Sequence, residues 1–236
     1  MSAKKARICV VIPAYNEAPA IKGVVKNVIK AMDKTPYTYE VVVINDSSID
    51  QTAAEAKKGG ATVVNHILNS GAGGATATGL SYAYQNNYDY AVTMDADGQH
   101  LPDDVVTGIQ TAQAKNTDLL IGSRLIDSAG MSRAKIIGNK GLSMITYSLF
   151  GVRVTDSQSG LRIFSSHALK NLRWKTAGYE FCSEMVWRAK QLNLTISEYP
   201  ITAVYTDYSK SKGQNNWNAI NIIKSLVKRR FTEMFE

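Results

Sequence analysis

Residues 7–17 read RICVVIPAYNE. The run over 7–12 is almost entirely aliphatic and β-branched, which is typical of a strand buried on both faces. The run stops at Pro13, and an apolar spacing of three and four residues over 21–32 then predicts a helix. A second run, YEVVVIN at 39–45, predicts a second buried strand. This strand–helix–strand order is typical of a parallel β–α–β unit.

The same alternation continues outward from this unit as far as residue 123. Further strands are predicted at 61–67, 88–94 and 118–122, and helices at 50–58, 71–85 and from Pro102 onward. Five alternations predict the α/β class, with a mostly parallel central sheet covered by helices on both faces. The rhythm then changes, with helices predicted at 132–150, 181–192 and 217–235 and short strands at 161–164 and 195–204.

Length and composition predict one domain over residues 1–236. The chain has 236 residues, of which 44% are hydrophobic and 20% charged, and this excludes a disordered or fibrous protein. Neither a Pro-rich nor a Ser/Gly-rich linker divides it. Cys9 and Cys182 match no metal or redox spacing, which favours a reducing cytosol. Nor does any apolar run reach the roughly 18–20 residues that span a bilayer.

Charge is unevenly divided along the chain. Residues 1–119 carry 10 Lys/Arg and 12 Asp/Glu, whereas residues 120–236 carry 17 and 8. The basic half is either an uneven solvated surface or a surface that meets phosphate, an anionic membrane or nucleic acid. A nucleic-acid module would interleave aromatic and basic residues or carry a known motif. We therefore expect no nucleic-acid partner and favour phosphate or a membrane.

Polar residues cluster where the predicted strands end. PAYNE (13–17), NDSS (45–48), DADGQH (95–100) and GSR (122–124) each follow a strand. Ligands of parallel α/β sheets bind at the carboxyl ends of the strands. We therefore expect these carboxylates, amides and guanidinium to line one edge.

The DADGQH segment is the centre of this predicted site. Carboxylates two residues apart, here Asp95 and Asp97, can hold a hard cation, and Mg²⁺ usually completes its shell with water and substrate phosphate. The pair predicts a metal–diphosphate site, with Gln99 as a third oxygen ligand. The alternative is a solvated turn. We expect His100 to be a polar loop residue.

A glycine-rich segment, GAGG (71–74), follows the third predicted strand and begins a helix. It does not complete a G-x-G-x-x-G motif, because Thr76 stands at the last glycine position. Phosphate binding and a close crossing of two chain segments both remain open for it.

Taken together and in order, the motifs resemble those of family-2 glycosyltransferases with the GT-A fold. They most resemble the dolichyl-phosphate mannosyltransferase-like branch, whose members move a sugar onto a polyprenyl phosphate. The matching segments are IPAYNE (12–17), NDSSID (45–50), NSGAGGA (69–75), MDADGQH (94–100), GSR (122–124), DSQSGLRIF (156–164), GYEFCSEM (178–185) and YSKSKGQ (208–214).

The resemblance implies an activity and a division of the chain. Residues 1–123 would bind the nucleotide sugar, and residues 124–236 the acceptor, with an amphipathic C-terminal helix. The reaction implied is an inverting, metal-dependent transfer with Mg²⁺ or Mn²⁺. The donor would be GDP-mannose or a UDP-hexose, and the acceptor a dolichyl or undecaprenyl phosphate at the cytoplasmic face of a membrane.

Roles for individual residues are implied by the same resemblance. The donor would be held by Pro13, Tyr15, Glu17, Asp46, Asp95, Asp156 and Gln158. The acceptor phosphate would be held by Arg124, Lys135, Asn139, Arg162 and Lys210. The metal would be held by Asp95, Asp97 and Gln99, and the catalytic residues would be Asp97 and Arg124. Glu184 would face the sugar or lie on a solvated helix face.

Four positions depart from the family pattern. Asn45 stands where an acid is usual, Ala72 where a basic residue is common, Asn139 where a Ser often binds phosphate, and Lys135 where an Arg is frequent. A Lys offers a point charge instead of a planar fork. These departures leave the identities of donor and acceptor open.

Two other functions compete with this one. A polysaccharide-building transferase would use a sugar hydroxyl as acceptor and often carries Q-x-x-R-W. Residues 170–174 match that motif without its Gln, and we interpret Trp174 as core packing. The second competitor is a non-catalytic nucleotide-sugar-binding protein.

A lipid acceptor implies a peripheral protein, which docks on the membrane directly or through a small membrane-spanning partner. Two segments are candidates, the apolar helix end at 144–150 and the helix at 217–235. The second has an apolar side (Trp217, Ile220, Ile223, Val227, Phe231, Met234) and a basic set (Lys224, Lys228, Arg229, Arg230). The alternative is that both helices pack on the sheet, which Ile222 and Leu226 favour.

Overall fold

The computed structural model describes residues 5–205, 208 and 216–233. The strands are β1 (Arg7–Ala14), β2 (Thr38–Asn45), β3 (Thr62–Asn65), β4 (Tyr90–Thr93), β5 (Leu119–Ser123), β6 (Arg162–Ser165) and β7 (Ile196–Pro200). The helices are α1 (Ala18–Met32), α2 (Thr52–Gly59), α3 (Gly71–Gln85), α4 (Pro102–Lys115), α5 (Arg133–Phe150), α6 (Ser166–Asn171), α7 (Phe181–Gln191) and α8 (Asn216–Glu233).

The seven strands form one sheet in the order β3-β2-β1-β4-β6-β5-β7. Every pair of neighbours is parallel except at β6, which runs antiparallel to both β4 and β5. The predicted α/β class with a mostly parallel sheet is confirmed. The reversal of β6 was not predicted, because a short apolar run does not reveal the direction of a strand.

Alternation along the strands divides the core between two faces of the sheet. Cys9 and Val11 of β1 belong to a cluster with residues of α3 and α5–α8. Ile8, Val10 and Ile12 belong to a second cluster with α1, α2 and α4. Because successive side chains of a strand point to opposite faces, the two clusters lie on opposite sides of the sheet. The predicted coverage of both faces is therefore confirmed.

Several boundaries differ from the prediction. Strand β4 is shorter than 88–94, and β7 ends at Pro200 instead of continuing to 204. Helix α6 was not predicted at all. It begins where the hydroxyl of Ser165 accepts a hydrogen bond from the Ala168 N–H at 3.2 Å. A helix of six residues is too short to show an apolar period.

The C-terminal helix α8 packs on the body of the protein. Ile222 and Leu226 are buried in the same cluster as α5 and α7, and Arg229 is buried beside them. Arg229 therefore does not belong to the exposed basic set in which the sequence placed it. Of the predicted apolar side, Ile223 packs half-buried against this cluster and Val227 is half-buried, whereas Phe231 is exposed. Trp217, Ile220 and Met234 lie outside the described side chains.

Neither α5 nor α8, nor any other helix in the described part of the chain, combines the length and apolar character that a bilayer span requires.

Glu184 ties three segments together from a fully buried position in α7. Its carboxylate accepts hydrogen bonds from the Thr176 N–H at 2.9 Å and the Lys175 N–H at 3.1 Å. Arg229 Nε of α8 lies 3.2 Å from Glu184 Oε1. Glu184 therefore lies on no solvated helix face, and these contacts leave no exposed oxygen for a sugar. The structure corrects both expectations.

The same contacts keep Glu184 ionised. Burial alone raises the pKa of this carboxyl, but the hydrogen bonds from Thr176 and Lys175 and the charge of Arg229 outweigh burial and lower the pKa.

We expect Glu184→Gln to lower the free energy of unfolding by about 3–5 kcal/mol, because it breaks the buried ion pair with Arg229 and removes the charge that accepts the hydrogen bonds from Thr176 and Lys175. Urea denaturation followed by circular dichroism measures this loss. The control is Glu55→Gln, which removes a surface pair with Lys58 and should change stability little. Equal effects of the two substitutions would contradict the role assigned to Glu184.

The loss should also depend on pH. Because the folded-state pKa of Glu184 is lowered, its contribution is fully present above the unfolded value of about 4.3. The contribution disappears as the pH falls through the lower folded-state pKa. The difference in stability between wild type and Glu184→Gln should therefore shrink in acid, measured by the same denaturation series.

Candidate active site

Because β2, β1 and β4 are parallel neighbours in the sheet, the segments that follow their carboxyl ends lie along one edge; we call the region that these segments line the cleft. At its β1–β2 edge, Asn16 and Ser47 adopt positive φ angles of 55° and 61°. The Asn16 side-chain oxygen accepts a hydrogen bond from the Ile49 N–H at 3.0 Å, and the Asn16 N–H donates to Ser48 Oγ at 3.0 Å. These bonds join the two strand ends into one rim.

The predicted donor residues of β1 lie on this rim. Tyr15 is 47% exposed, and Pro13 and Glu17 are half-buried. The Tyr208 hydroxyl donates to Glu17 Oε2 at 2.8 Å. Tyr208, the first residue of the YSKSKGQ motif, therefore contacts the segment that follows β1.

Asp46 follows β2 and is buried with one oxygen firmly held. Its Oδ1 accepts from the Ser70 N–H at 2.8 Å and lies 2.7 Å from His66 Nδ1. His66 Nε2 in turn lies 3.0 Å from Thr78 Oγ1. Burial raises the pKa of Asp46, but the bonds from Ser70 and His66 outweigh it and lower the pKa. Asp46 is therefore a carboxylate held in one orientation.

His66 and Ser70 were missed from the sequence. Ser70 lies within the NSGAGGA motif, which was the only signal for it, and His66 lay in no recognised segment.

Asp95 and Asp97 follow β4 as predicted. The Asp95 side chain is 53% exposed, and its Oδ2 lies 3.0 Å from Nε2 of the buried His100. Burial raises the pKa of Asp95, but its hydrogen bond to His100 and the positive charges around it outweigh burial and lower the pKa. Burial, followed by the charge of Asp95, raises the pKa of Asp97. The carboxylates of Asp95 and Asp97 thus interact with each other.

The structure adds detail for both His100 and Gln99. His100 lies in the loop between β4 and α4, as expected, but it is buried against Asp95. The Gln99 backbone N–H donates to Asp97 Oδ1 at 3.0 Å, and its side-chain Nε2 donates to Oδ2 at 2.5 Å. Gln99 therefore orients Asp97 here, and its role as a metal ligand stays a prediction.

These carboxylates fit a hard divalent cation. Within residues 5–205, 208 and 216–233, no group of three or more His, Cys, Asp or Glu side chains is arranged to hold a metal. Asp95 and Asp97 supply two. Mg²⁺ and related cations commonly take one or two protein carboxylates and complete their shell with phosphate and water. The donor set thus suits a cation that arrives with a diphosphate.

The loop at 156–160 packs directly against Asp95. A Cβ atom at Gly160 would lie 2.3 Å from Asp95 Oδ1, so any larger residue there would displace the Asp95 carboxylate. The Thr93 hydroxyl donates to the Gly160 carbonyl at 2.9 Å. The DSQSG motif therefore forms one wall of the carboxylate site.

Arg124 and Asp156 form a bidentate ion pair on this wall. Arg124 Nε and Nη2 donate to Asp156 Oδ2 and Oδ1 at 2.7 and 2.9 Å. The Asp156 side chain is fully buried, whereas that of Arg124 is 18% exposed. Asp156 therefore positions Arg124, and its burial argues against the predicted contact with the donor. The Gln158 amide donates to Ser183 Oγ at 2.9 Å and is half-buried.

Arg162 is 1% exposed and lies inside the protein. Its guanidinium donates to the carbonyls of Ser157, Ser159 and Cys182 at 2.7, 2.9 and 2.9 Å. A buried guanidinium must satisfy its donors internally, and these carbonyls do so. The predicted contact of Arg162 with an acceptor phosphate is therefore corrected, because Arg162 holds the loop instead.

Helix α5 packs against the loop that contains Asp156, because the Ser157 N–H donates to Ser143 Oγ at 3.0 Å. In the first turn of α5, Lys135 Nζ is 3.7 Å from the centre of the Tyr205 ring. Burial raises the pKa of Tyr205. Asn139 is half-buried one turn further along. Lys210 lies outside the described residues.

Glycines of the GAGG segment permit a close crossing of two chain segments. Gly71 has a φ of 76°, and a Cβ there would lie 2.5 Å from the Ala177 carbonyl oxygen. The Gly73 N–H donates to the same carbonyl at 2.8 Å. Of the two alternatives left open for this segment, the geometry favours the crossing.

Tyr179 is a cleft residue that was not singled out from the sequence. Its side chain is about half exposed, and partial desolvation together with the negative charges of Asp95, Glu17 and Asp97 raises its pKa. The GYEF motif, which contains Tyr179, was the sequence signal for this residue.

Comparison with known proteins agrees with this geometry. The sequence matches the family described as Glycosyl transferase family 2 over residues 9–173. It is 40% identical to the UDP-N-acetylglucosamine--dolichyl-phosphate N-acetylglucosaminyltransferase of Methanococcus voltae, over 88% of this chain and 90% of that protein. It is 29% identical to the undecaprenyl-phosphate mannosyltransferase of Micrococcus luteus, over 87% of each.

The fold also matches solved structures. Glucosyl-3-phosphoglycerate synthase of Mycobacterium tuberculosis, crystallised with Mn²⁺, UDP and glucosyl-3-phosphoglycerate, superposes with a TM-score of 0.71 at 18% identity. The match covers 94% of this chain and 77% of that one. Identity this low supports the fold alone, which is the predicted GT-A fold. With the family match over more than half of its length, the chain belongs to glycosyl transferase family 2.

Proposed function

We propose that this glycosyltransferase moves a sugar, with inversion, from a nucleotide sugar to a polyprenyl phosphate, with Mg²⁺ or Mn²⁺ as cofactor. The observation that carries the proposal is the juxtaposition of two carboxylates, Asp95 and Asp97, with the partly exposed guanidinium of Arg124. The carboxylates suit the cation of a nucleoside diphosphate, and the guanidinium suits a second phosphate.

On the donor side, Asp95 and Asp97 would hold the cation, and Asp46, Tyr15 and Glu17 would meet the nucleoside. The contacts of Asp46 with His66 and Ser70 are all made by Oδ1, which leaves Oδ2 for a ribose or base. The metal, when bound, would act as a Lewis acid that offsets charge on the departing diphosphate.

On the acceptor side, Arg124 would orient a phosphate for in-line attack on the anomeric carbon. Its described side-chain hydrogen bonds use Nε and Nη2, so Nη1 can meet an anion. Lys135 and Asn139, both on α5, would contact the same phosphate. A lipid monophosphate is already anionic at neutral pH, so positioning suffices and no base is needed.

A sugar-hydroxyl acceptor would instead need a carboxylate as general base. Two motif carboxylates of residues 124–236, Asp156 and Glu184, are both fully buried and paired with arginines, so neither can act as that base. This favours a phosphate acceptor over polysaccharide synthesis. Trp174 donates to the Gly73 carbonyl at 3.2 Å and packs against Phe181, in agreement with a core role.

The relatives support the same acceptor class, since both are named as acting on a polyprenyl phosphate. Incubating the purified chain with a panel of nucleotide sugars and a short, water-soluble prenyl phosphate tests the proposal. We expect a prenyl-phosphate sugar that appears with Mg²⁺ or Mn²⁺ and not with EDTA. Donor binding without transfer to any acceptor would indicate the non-catalytic alternative.

We expect Asp97→Asn to lower kcat/KM about a hundredfold or more, because a preorganised electrostatic contact at the diphosphate is lost. Calorimetry should show that metal no longer strengthens donor binding. Asp103→Asn, at an exposed position of α4, is the matched control and should keep full activity. Normal transfer by Asp97→Asn, with an unchanged melting curve, would refute the assignment.

Arg124→Ala should cost about 2–5 kcal/mol in use of the acceptor, because a desolvated charge contact is lost. It also leaves Asp156 buried and unpaired, so the double variant Arg124→Ala with Asp156→Asn should recover stability without recovering activity. The measurements are the KM for prenyl phosphate, the Kd for the donor, and thermal melting. Weaker donor binding with an unchanged acceptor KM would assign Arg124 to the diphosphate instead.

A further inference from the structure

The outer faces of α5 and α8 form a surface that the cleft does not use. Helix α5 buries one face, including Leu142 and Phe150, in the core cluster. Helix α8 buries Ile222 and Leu226 in the same cluster, and the two helices contact each other. Their opposite faces therefore lie side by side on one side of the molecule. We call this surface the α5–α8 face.

On α5, the residues of this face are spaced alternately by four and three positions, which places them in one stripe. They are Arg133, Ile137, Lys140, Met144 and Tyr147. The three apolar members are 71%, 69% and 52% exposed, respectively. Packing within the protein therefore does not explain why they are apolar.

On α8, the face consists of Lys224, Lys228 and Phe231, which lie opposite the buried Ile222 and Leu226. Phe231 is 59% exposed. On α8 the face thus combines one large apolar side chain with exposed cations, as α5 does with three apolar side chains.

The charge of the two helices has one dominant sign. Together their sequences contain seven Lys and Arg residues and a single acidic residue, Glu233. Arg229 forms an ion pair with Glu184 inside the protein, whereas Lys140, Lys224 and Lys228 are exposed. A second copy of this face would meet it with like charge, which disfavours a symmetric dimer.

We propose that the α5–α8 face docks on a lipid bilayer that carries anionic headgroups. Apolar side chains that enter the headgroup boundary, surrounded by lysines that attract anionic lipid, are the combination that such surfaces bind. The purpose of docking rests on the proposed function, because a polyprenyl phosphate resides in a membrane.

The position of the cleft supports this orientation. Helix α5 packs against the 156–160 wall of the cleft, since the Ser157 N–H donates to Ser143 Oγ of α5 at 3.0 Å. Docking through α5 would therefore hold the acceptor side of the cleft close to the plane in which lipid phosphates lie.

Flotation of the full chain with phosphatidylcholine vesicles, with and without phosphatidylglycerol, tests the proposal. We expect binding that requires phosphatidylglycerol and weakens with salt. The triple variant Lys140→Gln, Lys224→Gln, Lys228→Gln should bind roughly a hundredfold more weakly, since each lysine near an anionic surface contributes about a factor of five. The matched control replaces Lys26, Lys30 and Lys57, exposed on α1 and α2, with Gln and should bind normally.

A second pair of substitutions tests the apolar contribution. Met144→Ser with Phe231→Ser should weaken vesicle binding at least about tenfold, because two large apolar side chains no longer leave water. Its melting temperature should not fall, since both side chains are exposed.

Three results would overturn the docking proposal. These are absence of vesicle binding by the wild type, equal loss in the two lysine triples, and binding that requires a membrane-spanning partner protein. Transfer to a short, water-soluble prenyl phosphate is measured in parallel with every variant. If transfer persists without vesicle binding, docking fails and the proposed function stands. If vesicle binding persists without transfer to any prenyl phosphate, only the proposed function fails.

Discussion

The buried guanidinium of Arg162 is the constraint on which the cleft depends. A charge inside a protein is tolerated only when its donors are satisfied, and here the carbonyls of the 157–159 loop and of α7 satisfy them. This fixes the loop between the sheet and α7. The same loop presents Asp156 to Arg124 and lets Gly160 approach Asp95. The positive charge of Arg162 also helps to lower the pKa of Asp95.

The acids of the cleft region consequently divide into two groups. Asp156 and Glu184 are fully buried, paired with arginines, and hold other groups in place. Asp95 is half exposed, and Asp97 shares its volume. Pairing with an arginine, more than residue type, therefore separates the acids that build the site from those that can meet a ligand. Asp46 belongs with the second group, because it is buried but its described contacts with His66 and Ser70 use Oδ1 alone. Gln99 and His100 are not acids, but they also build the site, since Gln99 orients Asp97 and His100 contacts Asp95.

The sequence predicted the strands, most helices and the edge at which the polar segments meet, because these follow from apolar period and the rule for parallel sheets. It did not predict the direction of β6 or the burial of Arg162 and Glu184. Those depend on contacts between residues far apart in the chain, which no local pattern reveals. His66 was missed for the same reason, since its partner Asp46 lies twenty positions earlier and only the fold joins them.

The place of β6 in the sheet has a consequence for how the chain acquires its structure during synthesis. Strands β1 to β4 pair with one another, so a four-stranded unit can form early. Strand β5 pairs only with β6 and β7, both of which emerge later. Strand β5 therefore lacks both partners, and β4 keeps one unpaired edge, until β6 has been synthesised and pairs with both of them. Such long-range pairing is slow to form and exposes strand edges meanwhile. A chain that stops before residue 156 would therefore contain Asp95 and Asp97 without the wall that packs against Asp95.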